Sequence, residues 1–124
     1  VTTGALIVAK LTASDAVTAL VGDRIFPNMA PDGVSSPRIV YSVVSDVPEN
    51  SLDGEVGKRL RRLRLQVDCY AVRHDTAEQL AEAVDEVLGN LDSPSLSGWR
   101  ENSIDMYDDI AKLHRVLQEY TVWR

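Results

Sequence analysis

At 124 residues, 44% of them hydrophobic and only 7 Gly and 5 Pro, the chain has the size and composition of one compact domain over 1–124, and its single Cys69 excludes a disulfide scaffold. Lys and Arg number 13 against 19 Asp and Glu, a net charge of −6, which excludes the whole-surface positive field of a general nucleic-acid binder. No apolar run approaches the ~18 residues that cross a bilayer, and the first residues lack the pattern of a secretory signal, so the expectation is a soluble protein made in the cytoplasm, with no membrane partner.

Residues 4–11, GALIVAKL, and 14–21, SDAVTALV, read as two short helices. Ser14 is placed as the N-cap of the second, with Asp15 in its first turn and Gly22 as a left-handed stop. Val17, Leu20 and Val21 share a face, so the pair is expected to pack as a small helical layer. A brief strand follows at Arg24 to Phe26, after which Pro27, Pro31 and Pro37 forbid a continued helix. Residues 38–46, RIVYSVVSD, are β-branched and aromatic, with apolar side chains at both parities, as in a central strand covered on both faces.

Residues 47–59 contain Pro48, Gly54 and Gly57 and little apolar content, which predicts a long connection. Ordering such a loop costs entropy that few contacts recover, so loops of this length are usually functional or disordered. The next strand alternates: Leu63, Leu65, Val67 and Cys69 point one way, while Arg62, Arg64, Gln66, Asp68 and Tyr70 point the other. In DTAEQLAEAVDEVLGNL, residues 75–91, an apolar stripe of Ala77, Leu80, Val84, Val87, Leu88 and Leu91 marks a helix, with Glu78, Glu82, Asp85 and Glu86 on its other face. Two more strands are read in WRENSIDMYD and LHRVLQEYTVW. The order predicts an α+β domain: an antiparallel sheet of about four strands, helices packed on one side, and a long β-hairpin loop. A domain this small gains stability from neighbours, which makes oligomerisation a reasonable expectation.

Catalytic chemistry finds little support. His74 and His114 have no metal-ligand spacing around them, DGEVGK lacks the glycine pattern of a phosphate loop, and Cys69 reads as a buried hydrophobe. No catalytic, cofactor-binding or metal residues are expected, and no cofactor. The sharper feature is charge segregation: Lys58, Arg59, Arg61, Arg62 and Arg64 put five positive residues into positions 58–64 without an acid. Such a strand has three readings: a ribbon against nucleic-acid phosphates, a solvated face, or one half of a contact with an acidic surface such as Glu78, Glu82, Asp85 and Glu86.

Several landmarks occur in a recognisable order: GDRIFP, the strand beginning PRIVY, SLDG in the loop, and QVDCYA leading into an Ala/Glu-rich helix. Over residues 14–90 the chain resembles the tail completion, or tail terminator, proteins of long-tailed phages and phage-like gene transfer agents. The resemblance implies a non-enzymatic virion protein, assembled in the host cytoplasm, that forms a ring, usually hexameric, on the head-proximal end of the tail tube. Such a ring stops tube growth and presents a surface for the head–tail connector, or stopper, protein. It implies as partners further copies of the chain, the tube protein, the connector, and DNA that passes through the channel without specific binding. Asp53, Lys58, Arg59, Arg61, Arg62 and Arg64 are the expected docking residues, with the acidic helix face as the second patch. A head-side connector ring and a DNA-binding accessory protein are the alternatives.

Overall fold

The structure, a computed structural model, describes residues 2–49, 60–93 and 96–124. Local chemistry starts its first elements where the sequence places them. Helix α1 (Thr3–Thr12) begins at Thr2, whose hydroxyl accepts from the Ala5 N–H at 3.1 Å. Helix α2 (Asp15–Val21) begins at Ser14, whose Oγ accepts from the Val17 N–H at 3.4 Å, and ends at Gly22, where φ is 60°. The two helices meet at 92°, and among the described residues no single helix is long and apolar enough to cross a membrane.

The predicted α+β architecture is observed. Four long strands, β2 (Arg38–Glu49), β3 (Leu60–Ala71), β5 (Leu96–Asp108) and β6 (Leu113–Trp123), form an antiparallel array in the order β2-β3-β6-β5. Two short strands extend its edges: β1 (Ile25–Pro27) runs parallel to β2, and β4 (Asp92–Ser93) pairs antiparallel with β5. Helix α3 (His74–Leu88) lies across the sheet and carries α1 and α2 beside it.

Strand alternation sets the layer order. Leu63, Leu65, Val67 and Cys69 of β3 are buried, with Val116, Tyr120 and Val122 of β6 beside them, under Ala77, Leu80, Ala81, Val84 and Leu88 of α3. Ile7, Leu11, Val17 and Val21 complete this core from α1 and α2. Each fully buried Val or Leu contributes about 1.5–3 kcal/mol relative to exposure, so this one layer carries the stability of the fold.

Two expectations are corrected. The connection placed at 47–59 is shorter, because β2 continues through Val47 and Pro48 to Glu49 and β3 begins at Leu60. Pro48 is tolerated there because β1 pairs only with Ile39, Val40 and Tyr41, leaving this part of β2 an outer edge where a missing N–H breaks no ladder bond. Nor is β2 covered on both faces throughout. Ile39, Val40 and Tyr41 are buried, but Val43 and Val47 are exposed and Val44 is 62% exposed. A register shift between Val43 and Ser45 is a bulge that places apolar residues at both parities without burying both faces.

Gly98 of β5 sits against β6 so closely that a Cβ would lie 2.5 Å from the Thr121 carbonyl oxygen and 3.1 Å from the Val122 Cα. Both are backbone atoms that cannot swing aside. Gly98→Ala is therefore expected to destabilise the domain by about 1–3 kcal/mol, read as a lowered midpoint in urea unfolding with an unchanged slope.

Candidate functional site

One face of the sheet carries the helices; the other is open. Because registers run continuously across the four long strands, the open face can be followed row by row. Val47, Arg62, Trp123 and Ser97 form one row, and Ser45, Arg64, Thr121 and Trp99 the next. All of these residues except Ser97 line a groove of about 380 Å³ between the β2–β3 arm and β5, which also includes Glu101. Trp99 is 49% exposed, and its indole Nε1–H donates to Glu101, which also accepts from the Thr121 hydroxyl at 2.9 Å. An aromatic side chain so held, with a polar rim, is the kind of anchor that dominates protein contacts.

Further along the same face the rows become charged. Arg38, Tyr70, Arg115 and Met106 lie side by side, with the two guanidinium carbons 5.0 and 5.7 Å from the Tyr70 ring centroid. Arg115 Nε donates to Asp68 Oδ1 at 2.9 Å, and Asp68 is only 5% exposed although it sits on the face that has no helix. Its burial comes from this ladder of long side chains together with the 28–30 segment, which lines the same hollow. Burial, chiefly, holds the Tyr70 phenol above its ordinary pKa.

The sequence-predicted basic residues divide. Asp53, Lys58 and Arg59 lie outside the described residues. Arg62 and Arg64 stand on the open face, Arg64 donating to Glu119 of β6 at 2.7 Å. Arg61 has the opposite parity and makes a two-pronged pair with Asp46 across the arm. Two of the arginines thus already answer acids of the same chain, which weakens any field they would offer a phosphate backbone.

The acidic residues divide as well. Glu78, Glu82 and Glu86 are exposed on α3, on the opposite side of the molecule from the open face. Asp85 instead turns toward the sheet: its carboxylate accepts from Arg100 of β5 at 3.2 Å and lies 3.3 Å from the Tyr120 hydroxyl. Tyr120 also reaches Gln118 Oε1 at 3.0 Å, and Gln118 Nε2 donates to the Ala81 carbonyl at 3.0 Å. This chain fastens α3 to β6, and burial followed by the Asp85 charge pushes the Tyr120 phenol well above its usual range.

Sequence reasoning did not foresee two constellations. Asp68 with Arg115 is one; the other is at the start of α3, where His74 Nε2 lies 3.3 Å from both Glu78 Oε1 and Asp105 Oδ2. His114 stacks edge-on to His74 with centroids 5.4 Å apart, and Tyr107 packs against His114 at 5.0 Å. A residue-spacing search sees only the His74–Glu78 helical turn, because Asp105 arrives from β5. Cys69 is fully buried, as expected, and burial pushes its thiol far up, removing it as a nucleophile. The two sides of the molecule thus differ: an aromatic and basic groove on one, an acidic helix on the other.

Comparison with known proteins agrees in kind. The family model described as Tail completion protein gp17 matches residues 5–124. A chain in the solved structure "Virion of native gene transfer agent (GTA) particle" shares the fold with a TM-score of 0.70 at 17% identity, over 94% of this chain and 90% of that one. Comparison with curated protein sequences gives no match.

The buried ion pair supplies a direct test of how the open face is held together. Arg115→Met keeps most of the packing but leaves the Asp68 carboxylate without its cationic partner, with only the neutral Gln66 amide still donating to it at 3.2 Å. Because the arginine side chain is itself partly exposed, the expected loss is about 3 kcal/mol, at the lower end for a broken buried pair. Urea unfolding measures it, and a double-mutant cycle with Asp68→Asn should return most of the loss as coupling between the two.

Proposed function

As the chain belongs to the tail completion protein gp17 family, a structural family, we propose that it forms a ring on the head-proximal end of the tail tube, ends tube polymerisation there and gives the head connector its docking surface. The ring is taken as hexameric. One observation carries this reading: the two exposed faces of the sheet-and-helix layer are unlike. The open face offers Arg62, Arg64 and the half-exposed Trp99, while the helix face offers Glu78, Glu82 and Glu86. Two copies cannot join such faces about a two-fold axis, because like would then meet like. Copies joined head to tail bring opposite charges together, and that contact closes into a ring when the rotation per subunit divides the circle.

The mechanism is geometric. A tube grows because each ring exposes a surface that accepts an identical ring. A ring of different subunits can occupy that surface and expose another, so growth stops without covalent chemistry. The β2–β3 arm, with Val44 and Val47 exposed along it and residues 50–59 at its end, is the part proposed to reach the tube, through Asp53, Lys58, Arg59 and Arg61. Asp85 is assigned a supporting part, because its carboxylate holds Arg100 and Tyr120 rather than pointing outward. A net charge of −6 suits a channel through which DNA slides without being gripped.

Reversing the basic face with Arg62→Glu and Arg64→Glu is expected to leave a folded protein, since exposed pairs contribute only about 0–1 kcal/mol, yet to abolish ring closure and yield overlong, headless tubes. Adding Glu78→Lys, Glu82→Lys and Glu86→Lys to the same chain should restore assembly in part. Electron microscopy of particles from complemented cells, with the subunit gold-labelled, measures both length and position. Label that leaves with the heads rather than with isolated headless tails would assign the ring to the head side instead. Tails of normal length joined to heads in the variant carrying only Arg62→Glu and Arg64→Glu would overturn the proposed contact.

A further inference from the structure

We propose that His74, Glu78 and Asp105 form a binding site for a divalent transition-metal ion of the zinc class, which staples the first turn of α3 to β5. The site goes beyond the ring reading and does not depend on it. His74 opens α3, and Glu78 follows one turn later on the same helical face. Asp105 comes from β5, where its pairing with Val116 places it on the helix-bearing side of the sheet. The three ligand atoms all lie within 4.8 Å of one another.

Geometry favours an ion over hydrogen bonding alone. His74 Nε2 is 3.3 Å from each of the two carboxylate oxygens. Ligand atoms bonded at ~2.0–2.1 Å to a tetrahedral ion lie about 3.3–3.4 Å apart, the edge of that tetrahedron. An imidazole nitrogen carries at most one proton, so it can donate in line to only one of these two oxygens. A cation at the common centre answers all three atoms together. The donor set, one imidazole and two carboxylates, suits zinc or its neighbours rather than magnesium or calcium, which take oxygen ligands. All three side chains are about half exposed, which leaves solvent to complete the coordination. His114 packs edge-on against the His74 ring at 5.4 Å and is itself backed by Tyr107, so the imidazole is bracketed on one side.

The test uses untagged full-length protein, titrated with zinc chloride by calorimetry and with cobalt(II) by visible absorbance. One equivalent of each is expected to bind, with cobalt bands in the tetrahedral or five-coordinate intensity range and a rise in thermal midpoint on zinc addition. His74→Ala should remove stoichiometric binding, and Glu78→Gln and Asp105→Asn should each weaken it by at least about tenfold. His114→Phe, which keeps a ring at that place, should retain the equivalent. Unfolding curves without metal control for folding, and should be unchanged in the variants because the three side chains are exposed. Absence of binding by the unaltered chain, or binding unaffected by Asp105→Asn, would overturn the proposal.

Discussion

The structure depends on covering one face of a twisted antiparallel sheet and leaving the other open. Three helices supply a single apolar layer, and the alternation in β3 distributes side chains accordingly: Leu63, Leu65, Val67 and Cys69 under the helices, Arg62, Arg64, Gln66 and Tyr70 away from them. Once one parity is committed to the core, a slip of one residue would carry five charged or polar groups, Asp68 among them, into it, so register is held strongly. The open face follows as the complement of the core.

An open sheet face still needs its own cohesion. Here it comes from cross-strand ladders of long side chains, in which Tyr70 lies between two guanidinium groups and Arg115 closes on Asp68. These contacts make part of the face rigid and nearly self-satisfied. The groove toward the arm is different: Trp99 remains half exposed and Val44 and Val47 present apolar surface. Cohesion at one end and exposed apolar area at the other divide the face into two unlike halves, the second of which is the one the proposed attachment would use.

The long edges bear on the same point. A bulge and Pro48 interrupt the outer edge of β2, and a second register shift between Arg100 and Asn102 interrupts β5. Such irregularities discourage indiscriminate strand pairing. For a protein proposed to meet its own copies at high local concentration, contact through side-chain faces rather than open edges keeps assembly from running on as a sheet. The proposed metal staple acts at the level of one subunit, tying the helix layer to β5, whose exposed residues otherwise have few partners in the core.

What the sequence determined by itself was everything governed by short spacing. Ser14 and Gly22 bounded α2, the 3.6-residue stripe from Ala77 to Leu88 marked α3, and period-two alternation assigned the faces of β3, because helix and strand geometry repeat within a few residues. The ordered landmarks also carried the family. β1 and β4 were barely legible or not at all, since three and two residues hold too little pattern. Only the tertiary structure decided which charges meet. Asp68 finds Arg115, Arg64 finds Glu119, Asp85 leaves the acidic face to hold Arg100, and Asp105 reaches His74. Those pairings are set by the register of strands brought together across the sheet and by the angle at which α3 lies on it, and neither quantity is written in the spacing of neighbouring residues.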